Sequence, residues 1–448
     1  MKIIIAGAYA IGTHLAKLLA RTNQDVVLID EDEERLSSVS SDYDLMTMHA
    51  SPTSVKTLKD AEAGDADLFI AVTPDENLNM NSCILAHTLG TKRTVARMDN
   101  YEYATPEYRE FFKKLGVDSL IYPEILAARD ITNGLKMSWV RQRWDVHDGA
   151  LVMLGIKQRE TSQILDKPLK DLCGPQDPYH IVAIKRGSDT IIPTGDTTLK
   201  LYDLVYFMTT KNYIPYIRKI VGKEHYVDVK NVMMMGGGKT AIRAAMTIPE
   251  YMDVKIIESD ERQCDRLNEL LDTDHIMVIN GDGRDIALLM EESIKNTQAF
   301  VALTGNAETN ILACLTAKRL GVRKTVAMVE NLDYVNMAES LDIGTIVNKK
   351  ALAASYIYQM MLDADVQNIR FLMSANADVG EFIAQPGSKV TKKKVFELGL
   401  PKGATIGGLV RHGVGHLVSG GTQIEAGDSV VVFCHDINMS KIEKYFKN

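Results

Sequence analysis

Residues 1–16 read MKIIIAGAYAIGTHLA, and residues 231–246 read NVMMMGGGKTAIRAAM. Each is an apolar run, then a glycine turn, then a helical pattern. That order predicts a strand feeding a helix through a turn whose backbone N–H groups face a phosphate. The two stretches are one signal written twice. Gly7 aligns with Gly236 at a shift of 229 residues. Further along, Thr73 in DADLFIAVT aligns with Thr304 in NTQAFVALT, and Cys83 with Cys314, both at 231. A shift constant to within two residues over this length marks a duplication. Its period far exceeds the ~20–50 residues of solenoid repeats, so whole domains are repeated.

The rest of each half fits the same plan. DVVLID and DVKIIES read as second strands, DADLFIAVT and QAFVALT as third, RTVARM and KTVAMV as fourth, LIYP and GTIVNKK as fifth. Helical patterns separate them, and NMNSCILAHTLG and TNILACLTAKRLG end on glycine, a favoured residue just past a helix. Strands alternating with helices predict a parallel, doubly wound sheet in each half. After each sheet a connector (PEILAARDITNGLKMSWVRQ, KKALAASYIYQMMLDA) leads to a segment of alternating apolar and polar residues with turn signals, near 150–210 and 380–434. The predicted class is α/β: two Rossmann-like doubly wound parallel sheets, each followed by a small α+β module. The expected domains are 1–125, 145–225, 229–350 and 368–448.

Composition narrows the class of function. The chain has 448 residues, 46% hydrophobic and 25% charged, which fits a folded globular protein. Its net charge of −8 argues against general nucleic-acid binding. Cys83, Cys173, Cys264, Cys314 and Cys434 form no CxxC pair and are odd in number, which points to a reduced, intracellular setting. No apolar run approaches the ~20 residues of a membrane helix, and no signal-peptide layout opens the sequence.

The glycine turns carry the chemistry. In a dinucleotide loop the first glycine allows the tight turn, the second lets backbone approach the pyrophosphate, and the third lets helix pack on strand. Gly236, Gly238 and Ala241 fill the three positions in the second half, with Gly237 and Lys239 between them. In the first half Gly7 and Gly12 fill the outer two, Tyr9 takes the middle one, and Ala8, Ala10 and Ile11 complete the turn. Each turn has an acidic partner about 20 residues on, Asp30 and Glu258, where a carboxylate accepts ribose hydroxyls. GGGKT is not an ATP-hydrolysing P-loop, because the required first glycine falls on Met233.

Ligands of open α/β sheets bind beyond the carboxyl ends of the strands. That rule selects Ser51, Thr73, Pro74 and Arg97 in the first half, and Asp282 and Thr304 in the second. Arg97 either pairs with a phosphate or makes a surface salt bridge; its counterpart is Met328. His412 and His416 are separated by Gly-Val-Gly and read as a turn rather than a metal site. No HExxH, GxSxG or acid pair supplies a catalytic constellation.

The tandem order, DADLFIAVT, LGVDSLIYPEILAARDI, IIPTGDT and the stretch beginning NGDGRD resemble the TrkA-type regulatory proteins of bacterial Trk potassium uptake, which carry two RCK N-domains and two RCK C-domains. The resemblance spans essentially the whole chain. It implies a non-enzymatic, cytoplasmic subunit, peripheral on the inner face of the membrane, that binds NAD(H) and adenine nucleotides (ATP or ADP). It also implies a homo-oligomer, dimer or tetramer, under a Trk-type membrane potassium-channel subunit. The family's nucleotide contacts carry over to Gly7 through Ile11, Asp30, Thr73 and Arg97, and to Gly236 through Lys239, Glu258, Asp282 and Thr304. The first half departs from the pattern: Tyr9 replaces a glycine, and HASPT stands where the second half has NGDGR. The competing expectation is an NAD-dependent oxidoreductase, which needs a proton donor beside the nicotinamide that these modules do not evidently supply.

Overall fold

The computed structural model describes residues 1–20, 24–40, 45–174, 177–187, 189–271, 274–361, 366–372, 377–435 and 439–448. They group into two compact units, Met1–Leu126 with Lys350–Met361, and Ala127–Lys349 with Leu362–Asn448.

The first unit is built on strands β1 (Lys2–Ala6), β2 (Asp25–Asp30), β3 (Met46–His49), β4 (Leu68–Ala71), β5 (Thr94–Arg97) and β6 (Ser119–Ile121). All pair in parallel, in the order β3-β2-β1-β4-β5-β6. Helices α1 (Ala10–Ala20), α2 (Glu33–Ser40), α3 (Val55–Asp60), α4 (Glu76–Leu89) and α5 (Pro106–Lys114) connect them. The order reverses beside β1, so the crevice outside β1 and β4 is the topological switch point where such sheets take ligands. Ile3, Ile4 and Ile5 are fully buried, as expected for a central strand covered on both faces. The next helix, α6 (Pro123–Leu135), starts in this unit and passes into the second at Ala127.

The second unit holds three sheets. A five-stranded sheet uses β7 (Gln142–Val146), β8 (Leu151–Lys157), β9 (Tyr179–Arg186), β10 (Asp189–Ile191) and β11 (Leu204–Thr209), and is followed by helix α7 (Ile214–Ile220). The second Rossmann sheet uses β12 (Asn231–Met235), β13 (Asp253–Glu258), β14 (Ile276–Asn280), β15 (Ala299–Ala302), β16 (Lys324–Met328) and β17 (Thr345–Val347), in the order β14-β13-β12-β15-β16-β17. Its helices are α8 (Lys239–Thr247), α9 (Glu261–Leu270), α10 (Ile286–Glu291), α11 (Ala307–Arg319) and α12 (Leu332–Ser340). Helix α13 (Lys349–Met361) then leaves it, and from Lys350 onward groups with the first unit, where Arg93 donates to the Met360 carbonyl. The last sheet uses β18 (Val366–Leu372), β19 (Ala377–Ile383), β20 (Ala404–Arg411), β21 (Val414–Leu417) and β22 (Ser429–His435), with helices α14 (Lys389–Lys392) and α15 (Met439–Phe446).

Each Rossmann sheet has six strands, where the sequence reading expects five. The additional strands are the edge strands β3 and β14. Neither holds a buried residue; β3 (MTMH) carries no apolar run, and the four-residue run IMVI of β14 is too short for periodicity alone to assign it to a strand. The two antiparallel modules pack face to face within the second unit. Leu151, Met153, Val182 and Tyr206 share one core with Val379, Val410, Val431 and Phe433. Among the described residues no helix is long and apolar enough to cross a membrane.

A charged seam joins the first antiparallel module to the second Rossmann sheet. Asp342 accepts from Arg141 and Arg159, each at 2.5 Å, and from Lys318 at 3.0 Å. Burial alone raises the Asp342 carboxyl, but these three cations bring it down to about 2. Lys324 is buried beside them and donates to Val140 O at 2.6 Å and Thr345 Oγ1 at 3.0 Å. Desolvation, reinforced by the Arg141 charge, pulls its ammonium down to about 7.

Candidate functional site

Both glycine turns fold alike. Gly7 has φ +105° and Gly236 φ +97°, left-handed values that glycine adopts without a steric penalty. Each turn is tied to the neighbouring strand, Gly7 N–H to Ile29 O at 2.8 Å and Gly236 N–H to Ile257 O at 2.9 Å. A Cβ at Gly12 would lie 1.8 Å from the Gly7 carbonyl oxygen, so the third position of the first loop needs glycine for helix–strand packing.

The acids that end β2 and β13 hold the turns. Asp30 accepts the Ala8 N–H at 2.5 Å and the Asp32 N–H at 2.9 Å. Glu258 repeats this with the Gly237 N–H at 2.7 Å and the Asp260 N–H at 2.9 Å. Two asparagines, which the sequence reading did not single out, brace the far wall. Asn79 accepts from the Thr73 N–H and hydroxyl and donates to the Thr73 and Arg97 carbonyls. Asn310 makes the same four bonds with Thr304 and Met328. Asn79 and Asn310 stand 231 residues apart, the spacing of the repeat, so their pairing was available in the sequence.

A cavity opens at each switch point. In the second half it measures about 530 Å³; Gly236, Gly238, Glu258, Asp282, Arg284 and Thr304 are among its walls. Gly237 lies behind them as a donor to Glu258, and Lys239 opens α8 on the exposed surface outside the lining. Arg284 donates to both Asp282 carboxylate oxygens, at 3.0 and 2.7 Å, and this bond lowers the Asp282 carboxyl below its ordinary range. Arg284 was missed although it lies in the NGDGR stretch, because the reading followed the acid.

In the first half the cavity measures about 280 Å³ and is lined by Gly7, Tyr9, Asp30, Arg35, Thr73 and Pro74, among others. Ala8 is buried behind the turn, while Ala10 and Ile11 form the start of α1. Ser51 is outside the lining, its hydroxyl 3.1 Å from Thr53 Oγ1. Arg97 is also outside it: its guanidinium lies 3.5 Å from Asp99 and 3.9 Å from Glu124, the salt-bridge alternative. The cation that does face the cavity is Arg35, on α2, five residues past Asp30.

The second cavity has room for a ligand in front of its loop. Gly238 has φ −71°, a value any residue adopts, and a Cβ built there meets nothing within 4 Å. Its glycine therefore serves neither backbone nor packing; it keeps space in front of the loop clear. About 530 Å³ also falls within the ~300–1,000 Å³ range of small-molecule sites.

Comparison with known proteins agrees with this fold. The TrkA-N domain model matches residues 3–123 and 232–349, and the TrkA-C domain model matches 156–222 and 379–447. The chain is 31% identical to the Trk system potassium uptake protein TrkA of Haemophilus influenzae, covering 100% of this chain and 99% of that one. It is 30% identical to the TrkA homolog of Archaeoglobus fulgidus, covering 100% of both. Among solved structures, the GsuK RCK domain aligns with a TM-score of 0.61 at 15% identity, over 99% of this chain and 94% of that one, so the fold is shared. The GsuK channel bound to NAD aligns with a TM-score of 0.60 at 16% identity, over 99% of this chain and 78% of that one. With paired TrkA-N and TrkA-C domains along its length and full-length relatives of the same name, the chain belongs to the TrkA family of Trk potassium-uptake proteins.

Proposed function

We propose that this chain is a nucleotide-responsive regulatory subunit of potassium uptake, not an enzyme, and that its second Rossmann domain takes NAD(H). The observation that carries the reading is the open space before Gly238, bounded by the Glu258 carboxylate and the start of α8. The backbone N–H groups of the glycine turn would hold the pyrophosphate at the helix N-terminus. Glu258 would accept from the ribose, and Arg284, released from Asp282, would meet a phosphate or the base. Two fold neighbours, the GsuK channel bound to NAD and GsuK bound to ADP, support adenine nucleotides as the ligand class.

In this reading the nucleotide adds no chemistry of its own; its binding energy selects a domain arrangement. A ligand shifts such an equilibrium only by its differential affinity for the two states. The chain would work as a homo-oligomer on the cytoplasmic face, docked on a membrane potassium-translocating subunit of the Trk type. The names of the curated relatives support that partner. Two measurements test the proposal together: calorimetry with NADH, and potassium uptake in cells carrying Glu258→Ala. Absence of binding heat, with normal uptake by the variant, would sink it.

A further inference from the structure

The two halves form an internal comparison, and their glycine loops differ at a position that faces ligand space. Where the second loop has Gly238 with nothing before it, the first has Tyr9. The Tyr9 ring is covered by the Arg35 guanidinium, 3.9 Å from the ring centroid. Arg35 is held from the other side as well, 3.4 Å from Asp30 and 3.2 Å from Asp32. Arginine suits this place because its flat fork stacks on an aromatic face while its N–H groups meet carboxylates. Tyr9 and Arg35 both line the first cavity, whose volume is about 280 Å³ against about 530 Å³ in the second.

The residue that corresponds to Arg35 behaves differently. Asp30 and Glu258 are 228 residues apart, and the same shift takes Arg35 to Gln263. Gln263 donates to the Gly237 carbonyl at 2.7 Å, bonding the loop's own backbone. Charge separates the halves too. The first cavity is lined by Asp30, Glu31, Asp32 and Asp75 with Arg35 as its cation, the second by Glu258 and Asp282 with Arg284. A pyrophosphate entering the first half would have to pull Arg35 off two carboxylates and then face four. The turn beneath keeps its Rossmann geometry through Gly7 and Gly12, so the closure lies in side chains and not in the backbone.

We propose that Tyr9 and Arg35 are the specificity-determining pair that closes the first half to dinucleotides, so that each chain binds one NAD(H), in its second half. This rests on the nucleotide-binding reading above. The test is titration calorimetry of the full chain with NADH, read as sites per chain. Wild type is expected to bind one equivalent, Gly238→Tyr none, and Tyr9→Gly with Arg35→Gln two. Arg35→Gln alone, a change at a half-exposed side chain, controls for folding and is expected to leave one strong site. Two equivalents in wild type would place a dinucleotide in the first half, and one retained in Gly238→Tyr would show that a tyrosine at this position does not close a loop; either result would overturn the proposal. So would a folded double variant that still binds one. No heat in any variant would overturn the nucleotide reading itself, and this inference with it.

Discussion

Gly238→Tyr separates binding from folding more cleanly than any other single change in the chain. The backbone at Gly238 is extended, with φ −71° and ψ −179°, so tyrosine is accommodated without strain. A Cβ there meets nothing within 4 Å, so no packed neighbour has to move. Surface changes of that kind usually alter stability by no more than ~0.5 kcal/mol. The ligand-free melting temperature should therefore stay within a degree or two of wild type, since ~1 kcal/mol shifts a large domain by roughly 2–4 °C.

Binding should change far more. The first half, with tyrosine at this position, has a cavity of about 280 Å³ against about 530 Å³ in the second, though the two also differ along HASPT and NGDGR. A ring before the loop also keeps phosphate oxygens from its N–H groups. Hydrogen bonds to charged groups contribute ~1.5–3 kcal/mol each, and losing two removes ~3–6 kcal/mol. Each ~1.4 kcal/mol is tenfold, so the NADH Kd should rise at least ~100-fold. Calorimetry gives the affinity, and thermal unfolding without ligand gives the control. An affinity within ~3-fold of wild type, in a variant of unchanged stability, would refute the assignment of this loop as the phosphate site.

Three further outcomes follow from distances in the structure. Gly12→Ala places a methyl 1.8 Å from the Gly7 carbonyl oxygen, and overpacking of that kind costs ~1–3 kcal/mol, to be read in urea unfolding. Asp342→Asn removes the charge shared by Arg141, Arg159 and Lys318; the cluster is only partly buried, so the loss should be ~1–3 kcal/mol, the range of hydrogen bonds to a charged group with solvent screening, and chemical denaturation of the full chain would record it. Lys324 sets a pH dependence: unfolded it holds its proton to about 10.5, folded only to about 7, so between those values the unfolded state binds more protons and stability rises with pH. Lys324→Met should flatten that slope, and an unchanged slope would remove Lys324 as its source.

What the sequence discloses depends on how local the physics is. The two glycine turns are legible because one positive φ and one steric approach, both settled within six residues, dictate Gly7, Gly12 and Gly236. Asp30 and Glu258 are legible because a strand end is fixed by its own apolar run. The edge strands β3 and β14 are not: MTMH has no apolar run, and a run as short as IMVI does not by itself separate strand from helix. Arg97 lies outside the cavity lining, 3.5 Å from Asp99 and 3.9 Å from Glu124, because strand position does not fix where a long side chain finds its partner. Asp342 is the extreme case: its partners Arg141 and Arg159 are 201 and 183 residues away, and no periodicity encodes such a meeting. The duplication supplies what single-copy pattern reading lacks. Positions that serve folding recur in both halves, as Asn79 and Asn310 do, bond for bond. Positions released from that duty diverge, and the loop position that Tyr9 fills in the first half is left open by Gly238 in the second. Divergence at an unconstrained, ligand-facing position is what selection on two different binding tasks would leave, and it makes Tyr9 with Arg35 the first pair to change in any attempt to convert one half into the other.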